Sequence, residues 1–396
     1  MRTTIVNIGT LLTGRVRQPR IDADSVSVED GRIVGVGSAA DADNSDIVID
    51  AAGATVLPGL IDSHVHLAFG DYTPRQQTVG YLESYVHGGV TTVISASEVH
   101  VPGRPRTPEG LVALAVAAHH SFENYRPGGM RAHGGSIILD PSLSPEHLAT
   151  ARRQGVWLAK AGFGAVDTPF DYAPLIKAAR DVGMITTLHT GGSSIPSSLP
   201  VTGEHVVALD PHISFHCNGG PVAMADADYD LVLSESSCKL QFCTAGNTRT
   251  MLSVARSVRE SDDLERILLG TDTPSGSGIM PLGLWYTIAS LASLADIEPD
   301  VAIAWATGNN AETYGLDTGV VEVGRRADLV IGDVALGGSR RDLLDGLRNG
   351  DVPGIGAVIT DGIPRFIGRS RNTPPPSRAP KILVNNVAFD FSGTRA

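Results

Sequence analysis

Six side chains in this sequence could together hold metal. His64 and His66 are one residue apart at the end of the apolar run Val56-Leu57-Pro58-Gly59-Leu60-Ile61. In a strand, residues i and i+2 point to the same face, so both imidazoles would aim into one space. Imidazole is a common ligand for zinc and related ions. Four more candidates end later apolar runs: Lys160 in Gly-Val-Trp-Leu-Ala-Lys-Ala-Gly, His189 in Met-Ile-Thr-Thr-Leu-His, His216 in His-Ile-Ser-Phe-His, and Asp272 in Arg-Ile-Leu-Leu-Gly-Thr-Asp. One buried histidine is more often a hydrogen-bonded core residue, but an ordered set at successive strand ends is harder to explain that way. Lys160 shares a strand face with Val156 and Leu158, so it is an amine among apolar neighbours.

Such a set needs rigid elements to bring it together. Apolar β-type runs at 56–66, 90–97, 132–139, 155–162, 183–190, 211–217, 238–245 and 266–272 alternate with helical patterns at 75–88, 109–125, 144–153, 170–182, 221–234, 247–262 and 281–294. That alternation predicts βαβ units and a parallel sheet. Eight runs across 56–316 predict a (β/α)8 TIM barrel, which usually has about 250 residues and carries its chemistry at the C-terminal strand ends. Short strand-and-turn patterns fill both ends of the chain. Thr3–Val6, Ser25–Glu29, Arg32–Gly35 and Asp46–Asp50 lie at one end. Val320–Val323, Asp328–Asp333, Gly356–Thr360 and Ile363–Arg365 lie at the other. Neither end can bury a good core alone. The sequence therefore predicts one small β-sandwich domain made of 1–55 and 317–369, and the barrel as the catalytic domain at 56–316. Residues 370–396, with Pro374-Pro375-Pro376, predict an extended arm laid on a neighbouring subunit, or disorder.

Composition limits the partners. A net charge of −12 over 396 residues argues against nucleic acid or an anionic membrane as the main partner. No apolar run approaches the roughly 18 residues a spanning helix needs. The N-terminus lacks a signal-peptide core. Cys217, Cys238 and Cys243 cannot all pair, which fits a reducing cytoplasm.

The order of these residues resembles the amidohydrolase superfamily: His-x-His on strand 1, Lys on strand 4, His on strands 5 and 6, Asp on strand 8. Leu57-Pro58-Gly59-Leu60-Ile61-Asp62-Ser63-His64-Val65-His66 is similar to its opening motif. Several stretches narrow the resemblance to the enamidase branch, which opens the ring of 6-oxo-1,4,5,6-tetrahydronicotinate. They are Gly70-Asp71-Tyr72-Thr73-Pro74-Arg75-Gln76, Gly88-Gly89-Val90-Thr91-Thr92, His189-Thr190-Gly191-Gly192-Ser193-Ser194-Ile195-Pro196, Asn218-Gly219-Gly220-Pro221, Ala306-Thr307-Gly308-Asn309 and Ser370-Arg371-Asn372-Thr373-Pro374-Pro375.

The resemblance implies two divalent metals, zinc first, with iron or manganese fitting one position. His64, His66 and Asp272 would hold one, and His189 and His216 the other. It also implies hydrolysis of a cyclic amide by a metal-bridging hydroxide, with Asp272 moving the proton to the leaving nitrogen, in a homotetramer. Enamidase has a bridging glutamate where this chain has Lys160. An ammonium cannot ligate, but an amine carboxylated by CO2 can bridge, as in hydantoinases and dihydroorotases of the superfamily. Hydantoinase- or dihydropyrimidinase-like ring opening and deamination are the alternatives. Deaminases of the superfamily place a glutamate after the strand 5 histidine, whereas His189 is followed by Thr190-Gly191-Gly192. Tyr72, Arg75, Thr190, Gly191, Asn218 and Ser275, with Asp71, Gly192, Gly219, Gly220 and Gly276 beside them, are candidates for substrate contact because they follow the ligand strands. Arg75 could clasp a carboxylate or sit in a structural salt bridge. His100 and His133 lie in segments from which they could reach the pocket.

Overall fold

The computed structural model describes the chain except residues 38–41, 43, 99, 164–165, 194, 196–197, 221, 276, 385–386 and 390–396, and except the side chains of 384 and 387–389. Its centre is built from parallel strands in two arcs. One arc joins Leu60–Val65, Val90–Ser95 and Arg131–His133. The other runs through Ser136–Ile138, Leu158–Ala161, Ile185–His189, Ile213–Phe215, Lys239–Cys243 and Ile267–Gly270. The third sequence run is thus split at Gly134-Gly135. A Cβ at Gly134 would lie 2.4 Å from the Phe122 ring, and one at Gly135 (φ +87°) 2.4 Å from the Ala115 carbonyl. Helix Pro108–Asn124 packs too close there for any side chain.

At the other seam the first and eighth strands are tied directly. Ser63 Oγ donates to the Leu269 carbonyl at 2.7 Å, and His66 N–H to the Thr273 carbonyl at 2.8 Å. Asp272 N–H donates to the His64 carbonyl at 3.0 Å, and Val65 bridges Thr273 in parallel. Ile61, Ile94, Leu158, Ile213, Phe215 and Leu268 pack inside the strands against Ala311 and Tyr314 of helix Gly308–Tyr314. A larger apolar cluster fills the layer between strands and outer helices.

The chain ends form two further six-stranded sheets. In spatial order the first is Val387–Phe389, Lys381–Val384, Ile47–Asp50, Arg2–Val6, Ser25–Glu29 and Arg32–Gly37. The second is Ile363–Ile367, Gly354–Thr360, Leu329–Asp333, Thr55–Pro58, Thr10–Leu12 and Arg20–Ile21. Ile5, Val26 and Ile49 from one sheet and Leu11, Val56, Leu329, Ile331 and Ile359 from the other share one buried cluster.

Three sequence expectations are corrected. The run 56–66 is two strands: Thr55–Pro58 pairs with Leu329–Gly332 in the terminal sheet, and the parallel strand starts at Leu60. Gly59 makes the crossing, where a Cβ would lie 2.1 Å from Thr91 Oγ1. The first half of the expected helix 75–88 belongs instead to a hairpin, Tyr72–Thr73 with Thr78–Val79, and the helix is only Tyr81–Val86. Val320–Val323 is not a strand, although Val321 N–H reaches the Thr13 carbonyl at 2.9 Å.

The C-terminal arm is strapped to its own chain. Ser370 Oγ donates to the His87 carbonyl, and Asn372 Nδ2 to the Ser84 carbonyl, each at 2.6 Å. Arg378 clasps the fully buried Asp333 carboxylate through Nε at 2.7 Å and Nη2 at 2.6 Å. Lys381–Leu383 then pairs with Val48–Asp50. Residues 390–396 of the expected arm lie outside the described residues.

Candidate metal centre

The parallel strands bring the six candidates to their C-terminal ends. His64 is the fifth residue of Leu60–Val65, and His66 follows that strand. Lys160 lies in Leu158–Ala161, and His189 ends Ile185–His189. His216 follows Ile213–Phe215, and Asp272 is two residues beyond Ile267–Gly270. All six are buried, Lys160 and His64 completely. His216 (φ +35°) and Asp272 (φ +58°) have left-handed backbones, which L-residues adopt at a cost and which recur where side chains are aimed at a site.

The hydrogen-bond acceptors around the rings decide which nitrogens carry protons. His64 Nδ1 lies 2.7 Å from Gln241 Oε1. The Gln241 amide is itself oriented, because Nε2 donates to the Ser63 carbonyl at 3.2 Å and to Ser63 Oγ at 2.7 Å. His216 N–H donates to Oε1 at 3.4 Å. Oε1 is therefore the atom facing His64, so Nδ1 holds the proton and Nε2 a lone pair. By the same logic His189 Nε2–H donates to the Gly192 carbonyl at 2.7 Å, and His216 Nδ1–H to the Thr190 carbonyl at 3.1 Å. Burial pushes the His64 and His189 pKa values down to about 4 and that of His216 well below the usual imidazole value, so all three are neutral near pH 7.

Lone pairs consequently face one another. His64 Nε2 lies 3.2 Å from Asp272 Oδ1 without hydrogen-bond alignment. His189 Nδ1 lies 3.1 Å from His216 Nε2, and neither nitrogen has a proton to share. Such contacts are repulsive unless a cation shares them. Donor atoms of His64, His216 and Asp272 all fall within 4.8 Å of one another. The donor set fits divalent metal.

Asp272 Oδ1 also accepts from His66 Nε2 at 3.0 Å, while Asp272 Oδ2 accepts no hydrogen bond from any described residue. Lys160 Nζ is the remaining anomaly. Among the described residues it has no hydrogen-bond partner, and it sits 4.1 Å from the Phe215 ring centroid. Burial pulls its pKa down to about 7, so much of the amine is neutral near neutrality.

The other sequence candidates separate. Tyr72 (39% exposed) lies in the hairpin above the first strand, which Gln76 Nε2 ties to the Ser275 carbonyl at 2.7 Å. Ser275 is half-buried, with its hydroxyl 3.1 Å from that of Ser277. Gly276 lies outside the described residues. Arg75 is exposed and makes no ion pair among the described residues, so the salt-bridge alternative finds no partner among them. Asp71 caps helix Tyr81–Val86 through Leu82 N–H at 2.6 Å.

Thr190 acts through its carbonyl on His216, while its hydroxyl meets Ser214 Oγ at 2.7 Å. Gly191 is not held open for a ligand: it pairs with Val201, and a Cβ there would lie 2.5 Å from the Val222 carbonyl. Asn218 is fully buried, and its amide spans the Cys243 backbone, donating at 3.0 Å and accepting at 2.9 Å, which is a structural duty. His133 packs on Trp157, which in turn meets Tyr314 of the plugging helix, so it stands at the opposite end of the strands from the site. His100 stands at the site, its ring 4.5 Å from that of His66.

Sequence reasoning missed two supporting residues. Gln241 and Asp62 are polar residues inside apolar strands, and that was their signal. Asp62 accepts from Thr271 N–H at 2.9 Å and from Thr271 Oγ1 at 2.6 Å, holding the residue before Asp272. Burial raises the Asp62 pKa to about 7.

Comparison with known proteins identifies the family. The model of the amidohydrolase family matches residues 55–195 and 247–362. The enamidase of Eubacterium barkeri is 42% identical over 386 residues, covering 96% of this chain and 100% of that protein. An enamidase crystal structure superposes with a TM-score of 0.94 at 42% identity, covering 97% of this chain and 100% of that one. A dihydropyrimidinase from Brevibacillus agri has a TM-score of 0.65 at 15% identity, covering 92% of this chain and 95% of that one, a likeness of fold alone.

Proposed function

Because the chain belongs to the amidohydrolase family, we propose that it is an enamidase-like hydrolase that opens a cyclic amide at its C–N bond. The observation that carries this reading is the pair of opposed lone-pair contacts, His64 Nε2 to Asp272 Oδ1 and His189 Nδ1 to His216 Nε2. His64, His66 and Asp272 would hold one divalent cation, and His189 and His216 the other. Zinc suits the nitrogen-rich set, and iron or manganese suits one position. Metal bound there would polarise the amide carbonyl and lower the pKa of a water to about 7.

Lys160 would complete the site as a carbamate: its neutral amine adds to CO2, releases a proton and becomes an anion able to bridge both halves. Its burial, its missing partner and its lowered pKa support this. Asp272 divides its labour between two oxygens. Oδ1 is fixed by the histidines, and Oδ2 is left to take the proton from the attacking water and pass it to the leaving nitrogen. Tyr72, Arg75 and Ser275 are the candidates that remain for substrate contact on the loops above.

The seam between the first and eighth strands supports reading the two arcs as one closed (β/α)8 barrel. The cluster shared by the terminal sheets supports a β-sandwich built from 1–58 and the segment beyond 317. Three buried, free cysteines support a cytoplasmic enzyme. Among the described residues no helix is long and apolar enough to cross a membrane. A homotetramer and the absence of nucleic-acid or membrane partners rest on the resemblance and on the charge of −12.

Lys160 in the bridging position favours a second reading, ring opening of a hydantoin or dihydropyrimidine. Incubation with 6-oxo-1,4,5,6-tetrahydronicotinate, simple lactams, hydantoins and dihydropyrimidines distinguishes these. Loss of the cyclic amide with appearance of a carboxylate is expected for one class. Ammonia release from a ring amidine without ring opening would overturn both readings in favour of deamination.

A further inference from the structure

Strand Lys239–Cys243 supplies none of the candidate ligands, yet Gln241 at its middle touches both halves of the site. Its Oε1 accepts from His64 Nδ1 at 2.7 Å and from the backbone N–H of His216 at 3.4 Å. Its Nε2 is held by Ser63 Oγ at 2.7 Å and the Ser63 carbonyl at 3.2 Å. The residue is completely buried, and a buried amide is costly unless its polar atoms are bonded. Here oxygen and nitrogen both are. The amide cannot flip without setting its NH2 against the N–H of His216 and its oxygen against the Ser63 carbonyl.

We propose that Gln241 is a positioning residue shared by the two metal positions. One amide oxygen fixes the ring proton of His64 on Nδ1 and anchors the backbone from which His216 reaches across. This rests on the two-metal reading above. Gln241 touches neither substrate nor the reacting atoms. It acts by presenting His64 Nε2 as a lone pair and by holding His216 in its left-handed conformation (φ +35°). With an apolar group in its place, the His64 Nδ1 proton would be buried without an acceptor, and the ring would gain by moving its proton to Nε2, which closes it to metal. Residues that orient metal-bound histidines typically carry a 10–100-fold effect on metal affinity. Because the same oxygen serves both halves, the loss should appear at both metal positions.

The test begins with zinc-loaded full-length protein titrated with a chelator, with retained zinc measured by atomic spectroscopy. Gln241→Met removes the acceptor at similar volume and should release zinc from both positions at a free-zinc level 10–100-fold higher than wild type. Gln241→Glu keeps an oxygen for both N–H groups and should retain zinc more tightly than the Met variant. Neutron diffraction on the wild-type protein should show deuterium on His64 Nδ1, a readout that needs no variant to fold. Deuterium on Nε2, or wild-type zinc retention in Gln241→Met, would overturn the proposal while leaving the two-metal reading intact. Wild-type protein that takes up no zinc, iron or manganese would instead remove that reading and this proposal with it.

Discussion

The two halves of the candidate centre are built from the same side chain and yet are not equivalent. His64 and His66 share one strand end and converge through Nε2 on a single oxygen of Asp272, 3.2 and 3.0 Å away. That half contains its own anion. His189 and His216 come from neighbouring strands and present Nδ1 and Nε2 to one another at 3.1 Å, and neither shows the close contact to Asp272 Oδ1 that His64 and His66 make. Each has its proton held by a backbone carbonyl, of Gly192 and Thr190 respectively. A half with a built-in anion can attract a cation alone. A half made of two neutral imidazoles carries less charge of its own, and in the proposed reading a carboxylated Lys160 would supply the rest.

The largest expected effect tests the self-sufficient half. Asp272→Asn keeps the size of the side chain but loses both the charge and the proton-carrying oxygen. Turnover should fall roughly 10²–10⁴-fold, the range of a general acid–base group, with the fold retained by circular dichroism. Turnover near wild type would remove Asp272 from the chemistry.

The next effect tests the dependent half. Lys160→Ala should weaken metal chiefly at His189 and His216, so that metal content per chain falls by roughly half while the first half keeps its ion. Intact-mass measurement of the native wild-type protein should show the added CO2. Wild-type metal content in Lys160→Ala would mean the second pair needs no bridge.

The smallest effect concerns protonation of the metal-free protein. His64 and His189 have folded pKa values near 4 against an unfolded value of about 6.5, and that of His216 is also lowered. The unfolded chain therefore binds more protons as pH drops below about 6.5, and stability is lost as pH falls toward 4. Asp62 and Glu98, both raised to about 7 by burial, act in the opposite sense over the same range. The histidines, joined by His100 lowered to about 3 and His133 lowered to about 4, outnumber them. The Tm of metal-stripped protein should drop by more than about 5 °C between pH 6.5 and 4.5. An unchanged Tm would mean that the rings already carry protons when folded, and the lone-pair argument for both halves would fail.

Much of this site was legible in the chain because ligand identity follows from residue type and local parity. The His-x-His spacing, the apolar runs and the order of strand ends are all local, and the helices at 108–124, 145–153 and 283–294 fall close to their sequence expectations. Helices Gly203–Leu209, Pro299–Trp305, Gly308–Tyr314 and Leu343–Arg348 were missed because each is six or seven residues long, two turns at most, too short to establish a period. The arm beyond 370 was legible only in part, for a different reason. Its proline-rich composition signals an extended chain, but not whose surface it covers, and the Arg378–Asp333 clasp joins residues 45 positions apart.

By itself the sequence determined which groups could bind metal and in what order they line the strands, since strand periodicity fixes facing. It could not determine which ring nitrogen carries a proton. That depends on Gln241, 177 residues from His64, and on the orientation of its amide, set in turn by the backbone of Ser63 and His216. Only the tertiary structure decided it, because a tautomer is chosen by whichever acceptor the fold brings within reach.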